Sequence, residues 1–433
     1  MRVLLVSIGT AGDLLPFIAL GKALRGRGHQ VTVLGNGYFQ AVAEKEALVF
    51  VPVRSTDEHV KRTRQRSNWD LRRSFTEGGR NLLEDMPRTY EAVAAHYVPG
   101  ETVVAAAGMM FGARVAQEKL GLPLATVHLY PLCFRSARDK VVWPRWAPLP
   151  LRRALFWLIE REIDRRFGVE INAFRSRLGL PPASRILSAW WNSPQLVLGL
   201  FPDWLSRPQP DWPANTLLTG FPCYDALQPF TAEGDLDEFL SVGEPPLVFS
   251  HSSAVFDARR FFEHSLTVAK TLRRRAILLT PHAEQVPRPL PAGIRHYAYV
   301  PHSLLLPRAA ALVHHGGIGT AFQALAAGIP QLIVPVFLDQ PDNGRRLTQL
   351  GVAATVRPNS YRPREVSRKL DSLLRSAEVA ARCRVYAARC RKARAAETAC
   401  LALEELFAAA SGAAAPTAPS RRDEVLATEP LSR

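Results

Sequence analysis

His315 opens a run of small and polar residues, His-Gly-Gly-Ile-Gly-Thr at 315 to 320, and Asp339 with Gln340 follows one apolar stretch later. Glycines at 316, 317 and 319 let backbone come close to a ligand and leave amide N–H groups free, while the His315 imidazole and the Thr320 hydroxyl add donors. Such a set suits an anion, phosphate above all. A tight turn with a satisfied loop histidine is the competing reading, but a histidine-glycine turn joined to an acid-glutamine pair is more specific than a lone Gly-x-Gly. At the other end of the chain Asp13 stands in IGTAGDLLPF, beside Gly9 and Gly12. A carboxylate there can take a proton from an attacking hydroxyl. It can equally cap the next helix, which typically contributes about 1 kcal/mol and favours the ionised form.

The elements that would position these groups are legible around them. Residues 310 to 314 are a short apolar run of buried-strand type, a helix is expected from 319 to 327, and Gly328 and Pro330 supply its stop signals. Residues 331 to 336 are almost wholly apolar, as in a strand covered on both faces, so the segment reads as a β-α-β crossover of a parallel sheet. The chain opens in the same way. Residues 3 to 8 form an apolar strand, the turn falls at Gly9 and Gly12, a helix starts around 14 to 16, and QVTVL returns as a strand. The opening run is too short for a secretory segment and feeds a glycine turn. The open helix N-terminus after residue 317 carries unpaired N–H groups and roughly half a positive charge, which favours phosphate. The fold class implied is α/β.

On these motifs the chain resembles the family 1 nucleotide-sugar glycosyltransferases, whose GT-B fold sets two Rossmann-like, doubly wound domains across a cleft. The resemblance implies that His315, Gly317, Gly319 and Thr320 hold the donor diphosphate, and that Asp339 and Gln340 read sugar hydroxyls. Gln323 falls where the family has a ribose-binding glutamate. In YVPHSLLLPRAAALVHHGG the backbone at Val300 would meet the base, with Tyr299 and His302 nearby. In PLVFSHSSAVF, Ser253 matches a donor-loop serine, although Ser252 stands where glycine is usual. GTAGDLLPF resembles the GTRGDVQP loop of bacterial antibiotic and sterol members, which makes Asp13 the general base and places Gly12 on the acceptor side. His128, in ATVHLYP, either faces the acceptor cleft or is a core histidine at a strand end. EINAFRSRLGLPP, WWNSPQLVLGLFPDW and DWPANTLLTGFPCYDA bring the likeness closest to the rhamnosyltransferases of rhamnolipid synthesis.

The implied chemistry is one in-line displacement at an anomeric carbon with inversion. It moves a hexose, rhamnose or glucose, from a dTDP- or UDP-linked donor to a hydroxyl of a lipid-like or other hydrophobic acceptor. No metal and no cofactor beyond the sugar nucleotide is expected. Two alternatives stay open: a GT-B nucleotide-sugar 2-epimerase, which the GTAGD loop disfavours, and a non-catalytic nucleotide-sugar or lipid-binding protein.

Composition sets the frame. With 433 residues, 47% apolar and 22% charged, the chain can bury two domain cores. We place an acceptor domain at 1–220, a Pro-rich linker at 221–244 containing or adjoining a short strand near 215–219, and a donor domain at 245–395. A helix at 396–410 would cross back to the first domain, and 411–433 reads as a disordered tail. The five cysteines, at 133, 223, 383, 390 and 400, form no CxxC pair, as fits idle thiols in a reducing cytoplasm. The net charge of +16 is scattered and no nucleic-acid module is evident, so no nucleic-acid partner is expected. Two stretches are denser: 61–88, which includes Trp69 and Phe75, and 141–167, where Trp and Leu alternate with Arg. The second is either an amphipathic helix packed on the core or a site of peripheral contact with anionic membrane.

Overall fold

The structure is a computed structural model that describes residues 1–65, 71–144, 146–225, 234–251, 258–336 and 338–412. Ser253, Trp69, residues 226–233 of the linker and the tail beyond 412 lie outside the described residues.

Two parallel sheets organise the chain. The first contains β1 (Arg2–Ser7), β2 (Gln30–Asn36), β3 (Val49–Arg54), β4 (Thr102–Ala107), β5 (Leu124–His128), β6 (Leu196–Gly199) and β7 (Thr216–Leu218). Their order is β3-β2-β1-β4-β5-β6-β7. The second contains β8 (Leu247–Ser250), β9 (Ala276–Leu279), β10 (Ile294–Tyr297), β11 (Ala311–His314), β12 (Gln331–Ile333) and β13 (Ala353–Thr355), in the order β10-β9-β8-β11-β12-β13. Strand burial explains the parallel arrangement. Val3 and Leu5 of β1 enter one core while Leu4 and Val6 enter another on the opposite face. In the second sheet Leu247 and Phe249 of β8 point one way and Val248 the other. Strands covered on both faces need helices on both sides, as a doubly wound fold provides.

Two elements differ in extent from their sequence expectation. The first helix, Ala11–Gly26, begins earlier than Leu14, because Thr10 caps it and Asp13 already lies inside its first turn. Pro16, expected near the start, sits within the helix and only removes the N–H that the Gly12 carbonyl would have accepted. β12 ends at Ile333 and not at 336. Pro335 has no N–H to give, and the Val336 N–H is taken by the Gln340 side chain at 2.8 Å.

The last helix, Ala395–Ser411, follows the donor-side helices Pro363–Arg375 and Ala377–Lys392 but packs on the first domain. Its Ala399, Cys400 and Leu403 join the core of β1 and the first helix. Glu404 pairs with Arg27 and contacts His29, each at 2.7 Å. No described helix is long and apolar enough to cross a membrane.

Candidate active site

Each sheet reverses its strand order once, between β1 and β4 in the first and between β8 and β11 in the second. Crevices at the carboxyl ends of strands open at such switch points. The loop after β1 carries Asp13, and the loop after β11 carries His315.

On the acceptor side, Asp13 is the third residue of its helix. Its Oδ2 accepts the Thr10 backbone N–H at 2.8 Å and the Thr10 hydroxyl at 2.9 Å, and its carbonyl accepts the Ser7 hydroxyl at 2.9 Å. Among the described residues no hydrogen bond engages Oδ1. The carboxylate therefore does both things the sequence left open: one oxygen caps, and the other is available. Gly9 is required for this, since a Cβ there would overlap the Asp13 carboxylate.

Tyr130 and Cys133, just beyond β5, border the same space. Cys133 beside it, then burial, then the charges of Asp339 and Asp13 push the Tyr130 phenol well up, so it stays a protonated donor. No motif in the sequence singles out Tyr130. His128, by contrast, is a packed core group, 2% exposed. Its Nε2 meets Asn192 at 2.8 Å and its ring lies against Trp191 and Phe134.

On the donor side, Gly316 adopts φ +90, where a Cβ would come within 2.7 Å of Ile333. This left-handed residue turns the chain into the helix Ile318–Ala327, with Gly317 at its N-cap. The first intrahelical bond is Ala321 N–H to the Gly317 carbonyl at 3.0 Å, so the N–H groups of 318 to 320 point forward with no partner among the described residues, as an anion needs. Gly319 and Thr320 lie in that first turn. Gly317 is also the residue against which the His315 ring rests, since a Cβ there would lie 2.5 Å from Nε2. Burial, together with His314, His251 and His302, holds the His315 pKa well below the ordinary value, so the ring is neutral and offers one N–H. His314 is fully buried and serves the scaffold, with Nε2 at 3.0 Å from Gln331 and Nδ1 accepting the Gly316 N–H at 3.2 Å.

Asp339 stands at the N-cap position of the helix Gln340–Gln349, with no capping bond from its side chain. Burial pushes its carboxyl up to about 7, and Asp13 and Asp342 add to this against the hydrogen bond from Asn343. Two carboxylates, one from each domain, thus share one electrostatic environment. Asn343, which the sequence reading missed, ties the site together: Nδ2 reaches Asp339 at 2.6 Å and the Gly316 carbonyl at 3.0 Å. Gln340 is buried, with its amide oxygen committed to Val336.

The strip expected to meet the nucleoside is braced from the linker. Tyr299 donates its hydroxyl to the Asp225 carbonyl, and the Asp225 carboxylate accepts the Ser303 N–H at 2.6 Å. The Val300 side chain is core. His302 is held neutral by burial, and Gln323 lies in the buried part of the donor helix.

One further group joins the domains. Arg346 donates to Asp342 at 2.8 Å within its own helix, and across the boundary to the Ser206 hydroxyl at 3.0 Å and to Asp139. Burial opposes its charge, but Asp342 and Asp139 outweigh that and raise its pKa. Behind the cleft, a separate cavity of about 500 Å³ lined by Lys22, Trp204 and Phe322 among others contains none of the groups above.

Comparison with known proteins agrees with this architecture. Residues 3–137 match the glycosyltransferase family 28 N-terminal domain, and residues 274–399 match the erythromycin biosynthesis protein CIII-like C-terminal domain. The chain is 30% identical to O-mycaminosyltylonolide 6-deoxyallosyltransferase of Streptomyces fradiae, over 94% of this chain and 97% of that one. It is 29% identical to vancomycin aglycone glucosyltransferase of Amycolatopsis orientalis, over 81% and 85% respectively. A solved glycosyltransferase of kitacinnamycin superposes with a TM-score of 0.71 at 19% identity, covering 94% of this chain and 98% of that one, which speaks for the fold. With two switch-point loops facing one another and relatives aligned along nearly its whole length, the chain belongs to the GT-B, family 1-like glycosyltransferases, among which its relatives are antibiotic glycosyltransferases.

Proposed function

We propose that this glycosyltransferase moves a hexosyl group from a dTDP- or UDP-linked donor to a hydroxyl of a bulky hydrophobic acceptor, with inversion. Asp13 acts as general base through Oδ1, while the Thr10 contacts hold the carboxylate in place. As the acceptor oxygen attacks the anomeric carbon, its proton passes to Asp13, the bond to the diphosphate breaks, and the leaving oxygens gain charge. That charge is met by the N–H groups of residues 318 to 320 and by the neutral His315 N–H, donors already in place before reaction. Asp339 and Asn343 orient the sugar between the two loops.

The observation that carries this reading is the placement of Asp13 and of the His315–Thr320 turn at the switch points of the two sheets, with Asp13 near enough to add to the rise of the Asp339 pKa, which supports a single space shared by base and sugar site. The acceptor class rests on relatives whose names specify O-mycaminosyltylonolide and vancomycin aglycone. The hexose is rhamnose or glucose.

The test is transfer from dTDP-rhamnose and UDP-glucose to a panel of hydroxylated lipids and macrolactones, with anomeric configuration read by NMR. Inverted product from wild type supports the proposal. Retained configuration, or epimerised sugar nucleotide without transfer, overturns it.

A further inference from the structure

The helix Leu149–Arg177 does not follow the usual amphipathic rule over its first three turns. Its inward face is formed by Glu160, Ile163 and Phe167. Leu151, Leu155 and Leu158, spaced i, i+4, i+7, fall on the opposite face, where they are exposed together with Ile159. Trp157 is 53% exposed beside them, and Trp146, just ahead of the helix, is 77% exposed. Scattered exposed leucines need no explanation, but a contiguous apolar stripe with two tryptophans does.

The charges around the stripe are of one sign. Arg153 is exposed, Arg152 half-buried, and the exposed Arg161 stacks over Trp157 at 4.8 Å. From 146 to 159 the sequence contains no acid. Glu160 is turned inward, and Glu162 is neutralised by Arg165 at 2.8 Å and Arg166 at 2.5 Å. A second copy of this face would bring arginine against arginine. An anionic lipid surface would take the leucines and indoles into its interfacial layer while the guanidinium groups reach phosphate.

We propose that the first half of this helix, with Trp146, docks the protein on anionic membrane. The helix follows the segment that carries Tyr130 to the cleft and Asp139 to Arg346, and Arg135 of that segment lies over the Phe156 ring at 4.8 Å, which ties the docked helix to the acceptor domain. A hydrophobic acceptor dissolved in the bilayer would then reach Asp13 without crossing water. This last consequence rests on the transfer reaction proposed above, whereas docking itself does not.

The experiment is co-sedimentation of the full chain, without donor or acceptor, with vesicles of phosphatidylcholine containing phosphatidylglycerol or of phosphatidylcholine alone. Wild type is expected to pellet with anionic vesicles at low salt, to be released by high salt, and to remain in solution with neutral vesicles. Leu155→Asn with Leu158→Asn is expected to weaken pelleting roughly tenfold or more, with unchanged thermal midpoint and unchanged transfer to a water-soluble acceptor. The proposal is overturned by wild type staying in the supernatant at low salt, or by equal pelleting of the double variant. It is also overturned if wild type forms a dimer that the double variant loses, since the stripe would then be a protein interface. Failure of transfer with docking intact would count against the reaction alone.

Discussion

Arg346 of the donor domain and Asp139 of the acceptor domain form a buried ion pair across the domain boundary, with side-chain exposures of 3% and 9%. The same guanidinium holds Asp342, one turn from Asp339 and adjacent to Asn343, so the clamp between domains and the sugar site belong to one helix. Removing the cation would strand two buried carboxylates. Arg346→Met is therefore expected to destabilise the protein by about 3–5 kcal/mol, and Arg346→Lys by less, because lysine keeps the charge but loses the planar fork. Thermal unfolding decides: a midpoint for Arg346→Met within a degree of wild type would show that the clamp carries no weight.

Asp13→Asn keeps an acceptor for the Thr10 N–H, so the helix start should survive while the base is lost. We expect kcat to fall by about 10² to 10⁴ with donor affinity nearly unchanged. Undiminished transfer would remove Asp13 from its role, and weakened donor binding would assign it to scaffolding.

Two neighbouring glycines should respond differently to alanine. Gly316→Ala meets both a forbidden backbone region and Ile333, and should lower the thermal midpoint as well as donor binding. Gly317→Ala has an ordinary φ and meets only the movable His315 ring. It should leave the midpoint in place and weaken nucleoside diphosphate binding roughly tenfold to a hundredfold, the worth of a hydrogen bond to a charged group. Equal midpoint losses in the two variants would contradict this distinction. A calorimetric titration with dTDP and UDP measures the binding arm.

Acid should destabilise the fold through its buried histidines. Burial lowers His128 to about 4 and His314 to about 3, whereas both titrate near 6.5 when unfolded. Their contribution is complete above about 6.5 and is lost as pH falls toward those lower values, at about 1.4 kcal/mol per pH unit for each group. Asp339 works in the opposite direction, because its raised pKa keeps it protonated in the folded state over part of the same range. The single-residue check is His128→Gln, whose stability should vary less steeply than wild type between pH 6.5 and 4.5. Parallel slopes would show that His128 is not held neutral.

With Asp339 titrating near 7, donor binding should strengthen as pH rises through that value, because the ionised carboxylate is the better acceptor for sugar hydroxyls. The donor KM should fall accordingly, and Asp339→Asn should flatten the profile. An unchanged profile in that variant would place the titration elsewhere.

Much of this site was readable in the chain because local chemistry dictates it. Glycine turns between apolar strands announce the loops of Asp13 and His315, and Gly328 ends the donor helix in the left-handed conformation its position suggested. What was not readable depends on residues distant in sequence. Tyr130 comes within the electrostatic reach of Asp13 only because β5 lies two strands from β1, and Asp225 braces Tyr299 only through the path of the linker. Asn343 and Arg346 look like ordinary helix-surface residues until the packing of their helix against the first domain is known. The first helix starts ahead of its sequence expectation because a proline within a helix resembles a proline at its beginning.

The return of the last helix to the first domain has an engineering consequence. Swapping halves between relatives at the linker would pair a recipient's β1 and opening helix with a foreign partner for Arg27 and His29, and seat foreign side chains where Ala399, Cys400 and Leu403 now fit. A chimera that exchanges donor specificity should therefore carry three segments, with residues 395–411 inherited from the same parent as the amino-terminal half.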